Sequence, residues 1–115
     1  MKRDWDVIRA VLVEIEEDNC GKSTYGDRNE PIKTEHAFLM RDAGFIAAVD
    51  ASTLTGRALI RPTLTWAGHE LLDTIRSKSV WERIKRTAKE KGIELSFDAV
   101  KVLGKAALHL VIAGD

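Results

Sequence analysis

The residues able to ligate a metal or attack an electrophile are few and scattered. Cys20, His36, His69 and His109 show neither a C-x-x-C nor an H-x-x-x-H spacing, so no metal site is expected. Gly21-Lys22-Ser23-Thr24 copies the end of a phosphate-binding loop. The glycine that should open the pattern is Glu16, however, and an acidic helix precedes it where a buried strand is needed, so nucleotide binding is rejected. Serine, histidine and aspartate occur without a nucleophile elbow or a paired-carboxylate spacing. No catalytic residue and no cofactor are expected.

What remains is the chemistry of contact. The chain carries 18 Lys/Arg and 18 Asp/Glu, a net charge of zero, which is not the composition of a protein held to nucleic acid by charge alone. The distribution is uneven. Residues 1–50 hold 7 basic and 11 acidic side chains and residues 51–115 hold 11 and 7, so the halves stand at −4 and +4. Arg76 to Lys91 sets seven cations against Glu82 and Glu90, and Arg57 and Arg61 lie in a stretch without acids between Ala51 and His69. An anionic partner would meet the second half. The acidic group Glu14, Glu16, Glu17 and Asp18 could instead imitate a phosphate surface.

These residues depend on the elements that carry them. Trp5, Ile8, Val11, Leu12 and Ile15 recur at three- and four-residue steps and predict a helix from Asp4 to Glu17, with Asp4 as its cap. Asn19 to Pro31, polar with Gly21 and Gly26, reads as loop. Ile32, His36, Leu39, Met40 and Ala43 predict the inner face of a second helix, from near Thr34 to Gly44. That phase turns Lys33, Thr34, Ala37, Phe38 and Arg41 outward. The period then shortens, and Phe45–Ala51 and Leu59–Trp66 read as two strands around a glycine-containing loop, with Pro62 suited to an edge.

Three further helices are expected. Ala67 to Lys78 turns Leu71, Leu72 and Ile75 inward. A helix capped by Ser79 and ended by Gly92 buries Val80, Trp81, Ile84 and Ala88. The last, Phe97 to Ala113, has Val100, Val102, Leu103, Leu108, Leu110, Val111 and Ile112 on several sides, which predicts a homodimer through this C-terminal helix. Trp5, Trp66 and Trp81 are all assigned to the core. With 115 residues, 44% hydrophobic and 31% charged, the chain is expected to form one domain: a core over 1–78 and a helical extension over 79–115. A single cysteine, acids where a signal peptide would be apolar, and no membrane-length apolar run predict a cytoplasmic protein.

Helix, loop, helix, two-stranded hairpin, helix is the order of an α+β winged helix with additional C-terminal helices. The opening Met1-Lys2-Arg3-Asp4-Trp5-Asp6-Val7-Ile8-Arg9 resembles the start of a small winged-helix family of bacterial and phage-encoded proteins that carries a domain-of-unknown-function label. His36 to Ile46 is similar to that family's entry into the wing, Leu64 to Leu72 to its exit, and Val80 to Lys85 to a tryptophan-bearing helix. The exit pattern L-T-x-x-G-x-x-x-L is shared with many winged-helix transcription regulators. The resemblance covers most of residues 1–90 and implies the fold, frequent residence in phage genomes, and no chemistry. One departure is the missing helix ahead of the recognition position, where Asp27 to Ile32 has room for a single turn.

By analogy with the fold, the first expectation is a DNA-binding, regulator-like module. Lys33, Thr34, Phe38 and Arg41 would then approach base edges of double-stranded DNA, while Arg57, Arg61, Arg83, Arg86 and Lys89 hold phosphates. The alternative is a protein–protein interaction module, such as a phage accessory or counter-defence protein, that binds a host protein through the Phe38 face.

Overall fold

In the computed structural model, which describes residues 3–17 and 24–112 (side chains to 107), Asp4 caps the first helix as its position predicts. Its Oδ1 accepts from the backbone N–H groups of Asp6 (2.9 Å) and Val7 (3.4 Å). Helix α1 (Trp5–Glu17) follows, and Trp5, Ile8, Val11, Leu12 and Ile15 are all buried. The stretch read as loop holds a strand. β1 (Thr24–Gly26) pairs antiparallel with β3 (Ala58–Leu64), Tyr25 opposite Leu59. Three residues are too few for alternation to show in a sequence, and pairing with β3 supplies the order instead.

Helix α2 (Pro31–Ala43) begins on a proline, whose missing N–H costs nothing at that position, and ends at Gly44, left-handed at φ +87°. β2 (Ile46–Asp50) returns along β3, giving a three-stranded antiparallel sheet in the order β1-β3-β2. Pro62 is therefore on the middle strand, not on an edge. It is tolerated because β1 pairs no further than Ile60 and because the β2–β3 register shifts between Ala47 and Val49, a bulge that leaves Arg61 and Pro62 opposite Ala48.

Helix α3 (Trp66–Ile75) starts one residue earlier than expected and turns Trp66 outward, 81% exposed. Helix α4 (Lys78–Lys91) is capped by Ser77 rather than Ser79, and Gly92 ends it. Helix α5 spans Phe97–Ile112. The chain forms two compact units, residues 1–70 and 71–115, which divide inside α3. In the first, α1 and α2 pack on each other and on the sheet. In the second, Val80, Trp81, Ile84 and Ala88 form the buried face of α4, which packs on α5. Gly104 lets α5 pass close to its neighbours, since a Cβ there would lie 2.2 Å from Thr74 Cγ2.

The inner face of α2 is rotated from the one expected. His36 and Met40 are buried as foreseen, but Thr34 and Ala37 join them, while Ile32 (61%) and Leu39 (40%) are exposed. The hydroxyl of Thr34 has no hydrogen-bond partner among the described residues. Thr34→Val, which keeps the shape and removes the unpaired dipole, is expected to raise stability by about 1 kcal/mol in urea unfolding.

Candidate functional site

Four side chains, His36, Glu14, Thr65 and Arg41, fix how α2 presents itself. At its start, the ring of His36 donates from Nδ1 to Ile32 O (2.8 Å) and accepts at Nε2 from the Asp4 N–H (2.8 Å), which ties it to the beginning of α1. Glu14 of α1 accepts from the Tyr25 hydroxyl (3.1 Å) and from Lys33 Nζ, so one carboxylate joins α1, β1 and α2. Hydrogen bonding to Glu14 holds the Lys33 ammonium above its usual range. At the far end, Thr65 Oγ1 donates to Gly44 O (2.5 Å). Arg41 Nε donates to the Ala48 carbonyl of β2 (3.1 Å).

These contacts redistribute the residues expected to read DNA. Lys33 is half-buried and committed to Glu14 and Glu30. Thr34 is fully buried, so it has no route to a base edge. Arg41 lies half-buried against the sheet. Phe38 is half-buried too, with the Arg57 guanidinium 5.1 Å from its ring centroid. The exposed residues of α2 are Pro31, Ile32, Leu39, Asp42 and Ala43, and of these Ile32, Leu39 and Asp42, with the half-buried Glu35, recur at three- and four-residue steps along one side. That row is apolar and acidic.

The loop between β2 and β3 is held from beneath. Asp27 Oδ2 accepts from the Arg57 backbone N–H (3.0 Å) and from its Nε (3.3 Å), and Arg57 Nη2 lies 3.7 Å from Glu35. Arg57, expected to grip phosphate, thus spends its charge on two carboxylates and an aromatic ring. The backbone hydrogen bond from Arg57 keeps the Asp27 carboxyl below the usual range. Because that value is depressed, the anchor is complete above the ordinary carboxylate range and is lost only as pH falls through the depressed value. Arg57→Ala at neutral pH, or acidification of the native protein, is expected to speed amide hydrogen exchange across residues 51–58 and to leave α1 unchanged.

Arg61 is exposed and sits in the bulge at φ +52°, a strained backbone for a residue with a side chain. In the second unit, Arg86 and Lys89 are exposed on α4 and Arg83 is half-buried. Leu54, at the tip of the β2–β3 loop, is fully exposed. Ile32, Leu39, Ala43 and Trp66 are exposed although their spacing predicts an inward position. Pro31, which sets where α2 starts, and the small Ala37, suited to close packing, are the sequence signals that hint at the other phase.

A cleft of about 230 Å³ lies between the β1–α2 turn and the β2–β3 loop, lined by Asp27, Arg28, Asn29, Thr53, Thr55 and Arg57 among others. Its one carboxylate is the one already bound to Arg57. Among the described residues, no group of three His, Cys, Asp or Glu side chains could hold a metal ion. Cys20 and the first three residues of the phosphate-loop mimic lie outside the described residues, as does the side chain of His109. No described helix is long and apolar enough to cross a membrane. The apolar run of α5 is described in part. Val100 and Ala107 are buried and Val102 is 67% exposed, while the side chains from Leu108 onward lie outside the described residues.

Comparison with known proteins is consistent across the chain. A family model described as "Hypothetical protein (DUF2513)" matches residues 2–94. An uncharacterized protein of Haemophilus influenzae is 38% identical over 119 residues, covering 98% of this chain and the whole of that protein. No solved structure matches.

Proposed function

The chain belongs to the DUF2513 family of hypothetical proteins, and from its geometry we propose that it is a non-enzymatic winged-helix module that binds protein through the solvent face of α2. The observation that carries this reading is the row Ile32, Glu35, Leu39 and Asp42 on the helix that holds the recognition position, with Lys33 and Arg41 turned away into intramolecular bonds. A helix that enters the major groove needs donors and cations on that side. Apolar side chains between acids suit a protein surface and repel phosphate.

The winged-helix assignment is supported by the order α1-β1-α2-β2-β3 with β3 between its two partners, and the β2–β3 loop would be the wing. The helix that normally supports a recognition helix is replaced by β1 and the turn at Asp27–Asn29, which fits a fold no longer used for major-groove docking. A bacterial or phage accessory role belongs to the same proposal.

Leu39→Glu tests it. The position is exposed, so the variant should keep the wild-type melting temperature while losing any protein that co-purifies with the wild type. Arg86→Ala with Lys89→Ala should retain that partner. Retention of every partner by Leu39→Glu would overturn the reading. A second reading, DNA contact, is favoured by one observation: Arg86, Lys89 and Lys91 are exposed along α4. It requires duplex binding that falls steeply with salt and is lost in the α4 variant.

A further inference from the structure

The second unit carries a surface that mirrors the α2 row with the charges reversed. Along α5, Lys101, Val102, Lys105 and Ala106 are exposed at helical spacing, with Asp98 one turn earlier on the same side. Val102, at 67% exposure, is the large apolar residue of this stripe, and lysines stand on both sides of it. On α2 the exposed Leu39 stands between Glu35 and Asp42. Glu35 is partly answered by Arg57 at 3.7 Å, whereas Asp42 has no ion-pair partner among the described residues, and neither do Lys101 and Lys105.

We propose that the occupant of the α2 face is a second copy of this chain, with α2 of one copy docked on α5 of another. The proposal rests on α2 being a protein-binding face and names its partner. The argument is charge complementarity around matched apolar centres. Leu39 meets Val102, and Asp42 meets Lys101 and Lys105. Association removes both exposed apolar side chains from water and neutralises cations and an acid that are otherwise unpaired. Each copy supplies one donor helix and one acceptor helix, so copies join head to tail.

The test is light scattering of the full chain at roughly 100 μM, where a micromolar complex is almost fully formed. The wild type is expected well above the 12.8 kDa of one chain. Asp42→Lys alone, and Lys101→Glu with Lys105→Glu alone, place like charges across the contact and are each expected to fall toward the mass of one chain, with association weakened about a hundred-fold or more. Mixing these two variants sets the introduced cation of one opposite the introduced acids of the other and is expected to restore the assembly. The substituted positions are exposed, so circular dichroism should match the wild type in every case. A wild-type monomer at this concentration overturns the proposal, as does a mixture no more associated than its parts. A monomer whose foreign protein partner is lost in Leu39→Glu overturns the second-copy occupant alone. A monomer whose partners all survive Leu39→Glu overturns the α2 reading as well.

Discussion

Alanine in place of Gly68 is expected to destabilise the first unit by about 3 kcal/mol, at the top of the range for overpacking. The β-carbon would lie 1.9 Å from the Phe45 carbonyl oxygen and 3.0 Å from its carbon. Neither atom can retreat without cost. Phe45 O accepts from the Thr65 N–H (3.1 Å), Phe45 N donates to Met40 O (2.8 Å), and Thr65 Oγ1 binds both Gly44 O and the Gly68 N–H. The exit of β3, the end of α2 and the start of α3 therefore share one lock, and Gly68 sits inside it against the Phe45 carbonyl. Gly104→Ala is the control. Its β-carbon would meet the Thr74 methyl at 2.2 Å, a side-chain rather than a backbone atom, and the expected loss is smaller, about 1–2 kcal/mol. Urea unfolding of the two variants measures the difference.

Trp81→Ala should cost about 3–5 kcal/mol, and Trp66→Ala less than about 0.5 kcal/mol. Trp81 is 2% exposed on the buried face of α4, with Lys85 Nζ 5.5 Å from its ring centroid. Trp66 is 81% exposed in the first turn of α3. The same contrast appears in fluorescence. Acrylamide should quench the Trp66 contribution strongly and the Trp81 contribution little, which single-tryptophan variants resolve. Equal quenching and equal destabilisation would mean that α3 starts in a different rotational phase from the one described.

The two tryptophans illustrate what a sequence can reveal here. Helix α1 was legible because a cap and five apolar residues agree on one phase. Helix α4 was legible for a similar reason, with an aromatic and three aliphatic side chains on one row and a glycine stop. The strand pattern that ends on Trp66 predicts an inward side chain, whereas the helix begins on that residue and turns it outward. Helix α2 was found but rotated. Its inner row is Thr34, His36, Ala37 and Met40, while Ile32 and Leu39 lie outside, so hydrophobic periodicity points to the wrong side. Local rules fail where apolar side chains stay on the surface, and the proposed contact face rests on that mismatch.

The candidate site was legible only as an outline. Arg57 looked like a free wing cation because Asp27 lies 30 residues away in sequence, and only the pairing of β1 with β3 brings the two together. Lys33 and Glu14 are likewise distant until α1 and α2 pack. Long-range ion pairs decide which charges remain available, and they carry no local signature. The exposed cations of α4 were foreseen because neighbours on a helix surface follow from spacing alone.

The most direct measurement is an NMR titration of the nitrogen-15-labelled protein with random-sequence duplex DNA at low salt. With α2 as a protein-contact face, the amide resonances of residues 32–43 stay where they are, and any salt-sensitive shifts fall within residues 78–91. Salt-sensitive shifts concentrated on residues 32–43 would contradict the account and return α2 to the role of a DNA-reading helix.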